Sequence, residues 1–322
     1  MAFIADQVAQ GRRIESICRV LRQQGCQVAA RTYREWKRPS RPVADRTVTD
    51  AQVLNAVRDT AWTTGPDGVR RLAPEGLYGR RKMTAHLRRT CAPDASAGAV
   101  DRAMRALGLA GVRRGKALRT TVPGKDGTRA GDLLDRNFTA PAPNRVWVSD
   151  FTYVRTWAGF TYVAFIVDVF AQRIVAWHAA TTKMTDLVMT PLRMALWQRS
   201  REHRAVEPGQ LISHSDAGSQ YTALRFTEHL ALQGIAPSIG SVGDAYDNAL
   251  MESVIGLFKT ECIRTTVFHA GPYKTVSDVE YATAGWVDWW NNRRLHGTLG
   301  MITPSEAEQA HYAAFIPQGQ PV

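Results

Sequence analysis

The chain has 322 residues, 44% hydrophobic and 22% charged, and a formal net charge of +12. That length supports a sizeable core and more than one domain, and that charge implies a polyanionic partner. The longest apolar stretch, YVAFIVDVF, is interrupted by Asp168 and is too short to cross a bilayer, so a membrane partner is excluded.

Residues 1–136 hold 27 Lys/Arg against 13 Asp/Glu, a net of +14, whereas residues 137–322 hold 14 against 16, a net of −2. The two parts are therefore expected to do different jobs. Arg outnumbers Lys in the basic part, and its planar fork suits phosphate oxygens and guanine edges. A solvated surface in an Arg-rich protein would leave the same charge pattern. Cys18, Cys26, Cys91 and Cys262 have neither CxxC nor zinc-ligand spacing, so they read as reduced thiols of a cytoplasmic protein.

Residues 5–25 carry Val8, Ile14, Ile17, Val20 and Leu21 at helical spacing, with Gly25 as the stop. A second basic helix follows and ends at Pro39 and Pro42, giving an N-terminal basic helical segment over 1–46. Three helices are expected within 47–119, in DAQVLNAVRDTAW, YGRRKMTAHLRR and SAGAVDRAMRALG. Their order fits a helix-turn-helix-like DNA-binding domain, or a non-specific basic bundle. Arg80, Arg81, Lys82, Arg102, Arg105, Arg113 and Arg114 are its candidate DNA contacts.

Residues 120–144 are rich in Gly, Pro and Asp and lack apolar periodicity, which marks a linker. Beyond it, RVWVSDFTYV, FTYVAFIVDVF and RIVAWHAAT read as three consecutive strands. A helix over TDLVMTPLRMALWQRSRE, a strand ending at Asp216, another helix, a fifth strand in APSIGS and a long helix over DNALMESVIGLFKTECI complete an α/β core at 145–265. That order implies a mixed five-stranded sheet with flanking helices. Residues 266–322 form a C-terminal helical extension.

Asp150 falls within the first core strand and Asp216 at the end of the fourth, so neighbouring strands would bring both carboxylates to one end of the sheet. On the last core helix, Leu250, Val254, Leu257 and Phe258 share one face, and Asn248, Glu252, Gly256 and Lys259 share the other. Glu252 can then approach the aspartates from the side; a solvated helix face is the alternative. Three converging carboxylates need a cation, and Mg²⁺ takes hard oxygen ligands while keeping substrate phosphates in its shell. Two such ions, Mg²⁺ or Mn²⁺, can run an in-line phosphodiester displacement.

WVSDFTYV, HSDAGSQY, GDAYDNALMESVIGLFKTE and WWNNRRLHGTLGMITPSEA together resemble the DDE-type insertion-sequence transposases of the IS-three family, relatives of retroviral integrase. YGRRKMTAHL resembles the helix-turn-helix-like region that precedes the family's core, so the likeness runs through nearly the whole chain. The thirty-five residues between Asp216 and Glu252 match the family's DD(35)E interval, and Lys259 its basic residue seven places on. Ala217 and Ala171–Gln172 depart from the family's usual residues.

The resemblance implies an RNase H-like core and catalytic, metal-holding roles for Asp150, Asp216 and Glu252. It implies 3′-end cleavage and strand transfer on double-stranded DNA at terminal inverted repeats, and a homo-oligomer on that DNA. It further implies an upstream-frame protein as fusion or partner, part of whose apparatus a chain starting at Met1 would lack. A catalytically lost DNA-binding regulator and an RNase H-fold nuclease without strand joining are the alternatives; the complete triad argues against the first.

Lys259, Asn248, His214, Gln220, Tyr221, Arg293, Arg294 and His296 are further candidate DNA contacts, although for His214 a buried, hydrogen-bonded state is favoured over contact. Asp168 is expected to support the structure, Asp244 and Asp247 to shape the loop before the Glu252 helix, and Glu261 to turn away. Trp286, Trp289 and Trp290 form an apolar face expected in the core, and Thr303 with Glu306 a capping box.

Overall fold

The computed structural model describes residues 2–38, 43–113, 131–135, 137–240 and 248–314. The chain divides into two compact units, Met1–Gln52 and Val53–Val322. In the first, Gly11 adopts φ +83°, so the single helix expected over 5–25 is two helices, α1 (Ala2–Ala9) and α2 (Ile14–Gln23). Gly25, also at φ +83°, ends α2 as expected, and α3 (Ala30–Lys37) follows. Ile4, Ile17, Cys18 and Tyr33 close a small core among these helices.

The second unit is built on a five-stranded sheet. Its strands are β3 (Val146–Thr156), β4 (Gly159–Asp168), β5 (Arg173–Ala180), β6 (Ile212–Ser215) and β7 (Ala236–Ile239), in the order β5-β4-β3-β6-β7. The first three pair antiparallel, whereas β6 joins β3 and β7 joins β6 in parallel. This mixed sheet is the expected RNase H-like arrangement. Because β-strand side chains alternate, Trp147 and Ile166 pack under α7 (Asp186–Arg201), and Val148, Phe165 and Val167 pack on the opposite face. There they meet α9 (Ala249–Leu257) and α10 (Val276–Asn292), including Trp286, Trp289 and Trp290, which are core residues as expected.

The expected core-facing residues of α9 need revision. Met251, Val254 and Phe258 are buried, while Leu250 and Leu257 lie at the margin. The helix also widens into a π-helical turn over Phe258–Ile263 that buries Phe258, Thr260, Glu261 and Cys262 together.

The three helices expected between 47 and 119 are present as α4 (Asp45–Ala61), α5 (Arg80–Thr90) and α6 (Ala97–Ala106). A short hairpin, β1 (Trp62–Thr64) with β2 (Arg70–Leu72), stands between the first two. From Val53 onward these elements do not stand apart from the core, since Val57, Tyr78, Met83, Leu87 and Met104 join one buried cluster with Phe165, Trp286 and Trp289. The Tyr78 hydroxyl donates to the Arg293 carbonyl at 3.2 Å and accepts from the Leu295 amide at 3.0 Å. Trp289 Nε1 donates to Glu75 at 3.2 Å, and Arg89 pairs with Glu306. Residues 133–134 of the expected linker also pack on the sheet, with the Leu133 amide donating to Ser238 Oγ at 2.9 Å and Leu134 buried.

Two buried ion networks hold the periphery. Arg294 grips both oxygens of Glu261 (2.6 to 3.2 Å), and Trp286 Nε1 donates to the same carboxylate. Asp168 accepts from Arg199 at 3.1 Å, the Asn144 amide at 2.8 Å, the Phe170 amide and Trp147 Nε1, so its role is structural as expected. Arg199 also pairs with Glu308 of α11 (Pro304–Ala314). The Thr303–Glu306 capping box opens that helix, with the Glu306 amide donating to Thr303 Oγ1 at 3.1 Å and the Thr303 amide to Glu306 Oε2 at 2.8 Å.

Candidate active site

Strand register places the first two acids. Val148 pairs with His214 and Ser149 with Ser215 in parallel, and β6 stops there. Asp150 and Asp216 are each the next residue, so the two carboxylates leave neighbouring strands side by side at the carboxyl end of β6. Beyond that point β3 continues to Thr156 without a partner on its β6 side among the described residues, and a cleft of ≈ 320 Å³ opens along it. Asp150, Asp216, Gly218, Gln220 and Lys183 line the cleft together with Phe151, Tyr153, Phe160 and Tyr162.

Among the described residues, each aspartate accepts from a nearby backbone amide. Asp150 Oδ1 accepts from the Phe151 amide at 2.7 Å, and Asp216 Oδ1 from the Gly218 amide at 3.2 Å. Burial pushes the Asp150 carboxyl well above its ordinary range, and the charges of Asp216 and Glu252 push it further against the pull of the Phe151 amide and Lys259. Burial also raises Asp216, with the Gly218 amide and His214 opposing it. Beneath them the Tyr221 hydroxyl is raised by burial and then by the same two aspartates. Crowded carboxylates that favour their protonated forms are what a hard cation would relieve.

The helix α9 supplies the other charges. Glu252 stands exposed in its first turn and acts electrostatically on Asp150. Lys259, in the π-helical turn, lies with Nζ 5.0 Å above the Tyr153 ring at the cleft and also feels Asp150. Burial, and then Arg264, lower its pKa. Asn248 is buried rather than exposed with Glu252; its Nδ2 donates to the Ser149 carbonyl at 3.4 Å, tying the start of α9 to the strand residue before Asp150. Among the described residues no three His, Cys, Asp or Glu side chains close into a metal-sized group. The two aspartates stand together at the strand ends, and Glu252 acts on Asp150 by its charge from the helix.

Other expected contacts fall differently. His214 is fully buried, with Nδ1 2.9 Å from Ser238 Oγ, and Tyr221 is buried behind the aspartates, so neither can touch DNA. Arg294 is committed to Glu261, and His296 is buried with Nε2 3.2 Å from the Trp290 carbonyl; these are packing residues of the C-terminal extension. Arg293 remains on the surface, 4.0 Å from Glu75. Gln220 is half-buried in the cleft wall, donating to the Lys183 carbonyl at 2.8 Å. Arg80, Arg81, Arg102, Arg105 and Arg113 are exposed, Arg105 pairing with Asp101. Lys82 is half-buried beside Tyr78; burial, and then the charge of Arg294, lower its pKa to about 8. Arg114, Asp244 and Asp247 lie outside the described residues. Sequence reasoning missed the cleft's aromatic wall, although Phe151 and Tyr153 alternate on one strand and carry that signal.

Two models of the integrase core domain match residues 140–245 and 233–304. A putative transposase for insertion sequence element IS986/IS6110 from Mycobacterium tuberculosis (strain CDC 1551 / Oshkosh) is 48% identical over 238 residues, covering 74% of this chain and 84% of the relative. The chain belongs to the DDE insertion-sequence transposases of the IS-three family. The IS629 transposase of Shigella sonnei is 46% identical over 74% of the chain and 76% of its own length. Among solved structures, the HTLV-2 integrase catalytic core domain in complex with magnesium is similar with a TM-score of 0.40 and 14% identity, over 52% of this chain and 98% of that one. The transposase relatives and the integrase core models make the chain a polynucleotidyl transferase, and its strand order is the RNase H-like one described above. None of its described helices is long and apolar enough to cross a membrane.

Proposed function

We propose that Asp150, Asp216 and Glu252 are the catalytic carboxylates, and that together they hold two divalent ions, Mg²⁺ or Mn²⁺, at the cleft. The donor set fits such ions: it is all oxygen, burial raises the pKa of both aspartates, and the charge of Asp216 raises Asp150 further. When bound, the ions would lower the pKa of the attacking oxygen and stabilise the leaving one.

The chain's own residues do the rest. Asp150 and Asp216 fix two donors on the rigid sheet, and Asn248 anchors α9 so that Glu252 closes on them from its first turn. Lys259 holds a substrate phosphate beside Asp150. The substrate is double-stranded DNA at the element's terminal inverted repeats, first cleaved to free a 3′-hydroxyl and then joined to another phosphodiester. The exposed arginines of α5 and α6, with Arg113, bind phosphates along that duplex. Two copies acting on paired ends, with an upstream-frame protein as fusion or partner, complete the assembly.

The observation that carries this reading is the side-by-side exit of Asp150 and Asp216 into one cleft, with Glu252 acting on the same carboxylate. Cleavage and strand transfer on DNA carrying the element's ends, with Mg²⁺, tests it. Glu252→Gln should lose both steps while still binding that DNA; wild-type rates in this variant would refute the role of Glu252.

A further inference from the structure

The β3–β4 hairpin presents large aromatic side chains to solvent where a soluble surface normally avoids them. Trp157 is 74% exposed at its tip, and Phe160 and Tyr153 are 51% and 41% exposed. The hairpin is not loose: the Trp157 amide donates to the Tyr273 carbonyl and the Ala158 amide to the Lys274 carbonyl, each at 3.0 Å. A pinned backbone thus carries rings that stay largely open to solvent. Tyr153 and Phe160 meet edge to face at 5.3 Å and form part of the cleft wall that also contains Asp150 and Asp216. Lys259 lies over Tyr153, and Lys274 Nζ sits 5.6 Å from the Trp157 ring.

Exposed rings with ammonium groups above them suit a ligand that is both aromatic and anionic. Base stacking supplies the first contact and backbone phosphates the second. In a duplex the bases are hidden within the stack, so these rings can act only on nucleotides that have left their pairs. The cleft, at ≈ 320 Å³, suits an extruded base rather than a helix. We infer that Tyr153, Trp157 and Phe160, with Lys259 and Lys274, form a stacking platform for unpaired nucleotides of the DNA strand at the acidic pair. The inference rests on the transposase reading above and adds to it that the reacting end is melted, not fully paired. Such a platform would hold the frayed strand so that its phosphate reaches Asp150 and Asp216.

Fluorescence anisotropy with the full chain, in the absence of divalent ions, tests this on two labelled probes. One is a blunt duplex; the other is the same duplex with unpaired nucleotides at one 3′ end. The wild type should prefer the frayed probe, and Trp157→Ala or Phe160→Ala should remove about tenfold of its affinity per lost stack. Blunt-duplex affinity should stay unchanged, and Trp157→Phe should restore most of the loss. Both are surface side chains, so truncation leaves the core intact. Equal wild-type affinity for the two probes overturns the platform but leaves the transposase reading standing; binding to neither overturns both. An equal loss on both probes, or a change of oligomer mass in either alanine variant, overturns it in favour of a general basic surface or a contact between copies.

Discussion

Asp150 and Asp216 each follow a serine of the parallel pair Ser149–Ser215, so two carboxylates sixty-six positions apart become lateral neighbours at the end of one strand pair. Like charges at that spacing destabilise the folded chain unless a cation intervenes. Asp150→Asn and Asp216→Asn should therefore raise the melting temperature by a few degrees without divalent ions, while abolishing strand transfer. Mg²⁺ should stabilise the wild type and leave both variants unchanged. Differential scanning fluorimetry across a Mg²⁺ titration measures this, and an equal Mg²⁺ response in wild type and variants would contradict the pair's role.

Gly218 tests how tightly Asp216 is placed. A Cβ there would stand 3.0 Å from Asp216 Oδ1, close enough to push the carboxylate out of line. Gly218→Ala should lower cleavage by about a hundredfold, with little change in the denaturation midpoint. Unaltered cleavage would show that Asp216 tolerates displacement.

Arg294 and Glu261 form the buried pair that looked, on sequence, like a phosphate contact and a bystander. Losing one partner strands the other charge, so Arg294→Met or Glu261→Met should each cost about 3–5 kcal/mol. The double variant should cost less than the sum. Urea denaturation in a double-mutant cycle measures the coupling, and additive losses would mean that the two charges are not coupled in the fold.

His296 is kept neutral in the fold, its pKa lowered well below 6.5 by burial and then by Arg294 and Lys82. Its stabilising contribution is therefore present above the unfolded pKa near 6.5 and is lost as pH falls below it. The gap in urea midpoint between wild type and His296→Asn should shrink from pH 8 to pH 5.5. A gap independent of pH would mean that His296 does not stay neutral.

The surface arginines of α5 and α6 call for charge substitution rather than deletion, because Val57, Tyr78 and Leu87 share a core with Trp289. Removing residues 1–136 would open that core. Arg80→Ala with Arg102→Ala should weaken duplex binding and reduce the salt slope by about two. An unchanged slope would place DNA recognition elsewhere.

Much of the site was legible in advance for a physical reason. Asp150 and Asp216 mark strand positions through the apolar runs around them, Glu252 falls within a run long enough to be a helix, and an interval between motifs survives any arrangement of loops. Burial of polar groups was not legible. Tyr221, Asn248, Arg294 and His296 are polar residues beside a recognised motif, and each could have faced either solvent or core, whereas the burial of His214 was expected. Only partners such as Ser149 for Asn248 and Glu261 for Arg294 settle it.

The sequence by itself determined the order of the five core strands, the candidate acids at their ends and the basic first part, because periodicity and residue type are local properties. Tertiary structure alone decided that the helices after Val53 share the core's packing, that Asn248 and Arg294 are buried, and that the hairpin bares its aromatic rings. Those outcomes depend on which surfaces meet across long stretches of chain, and composition carries no record of the meeting.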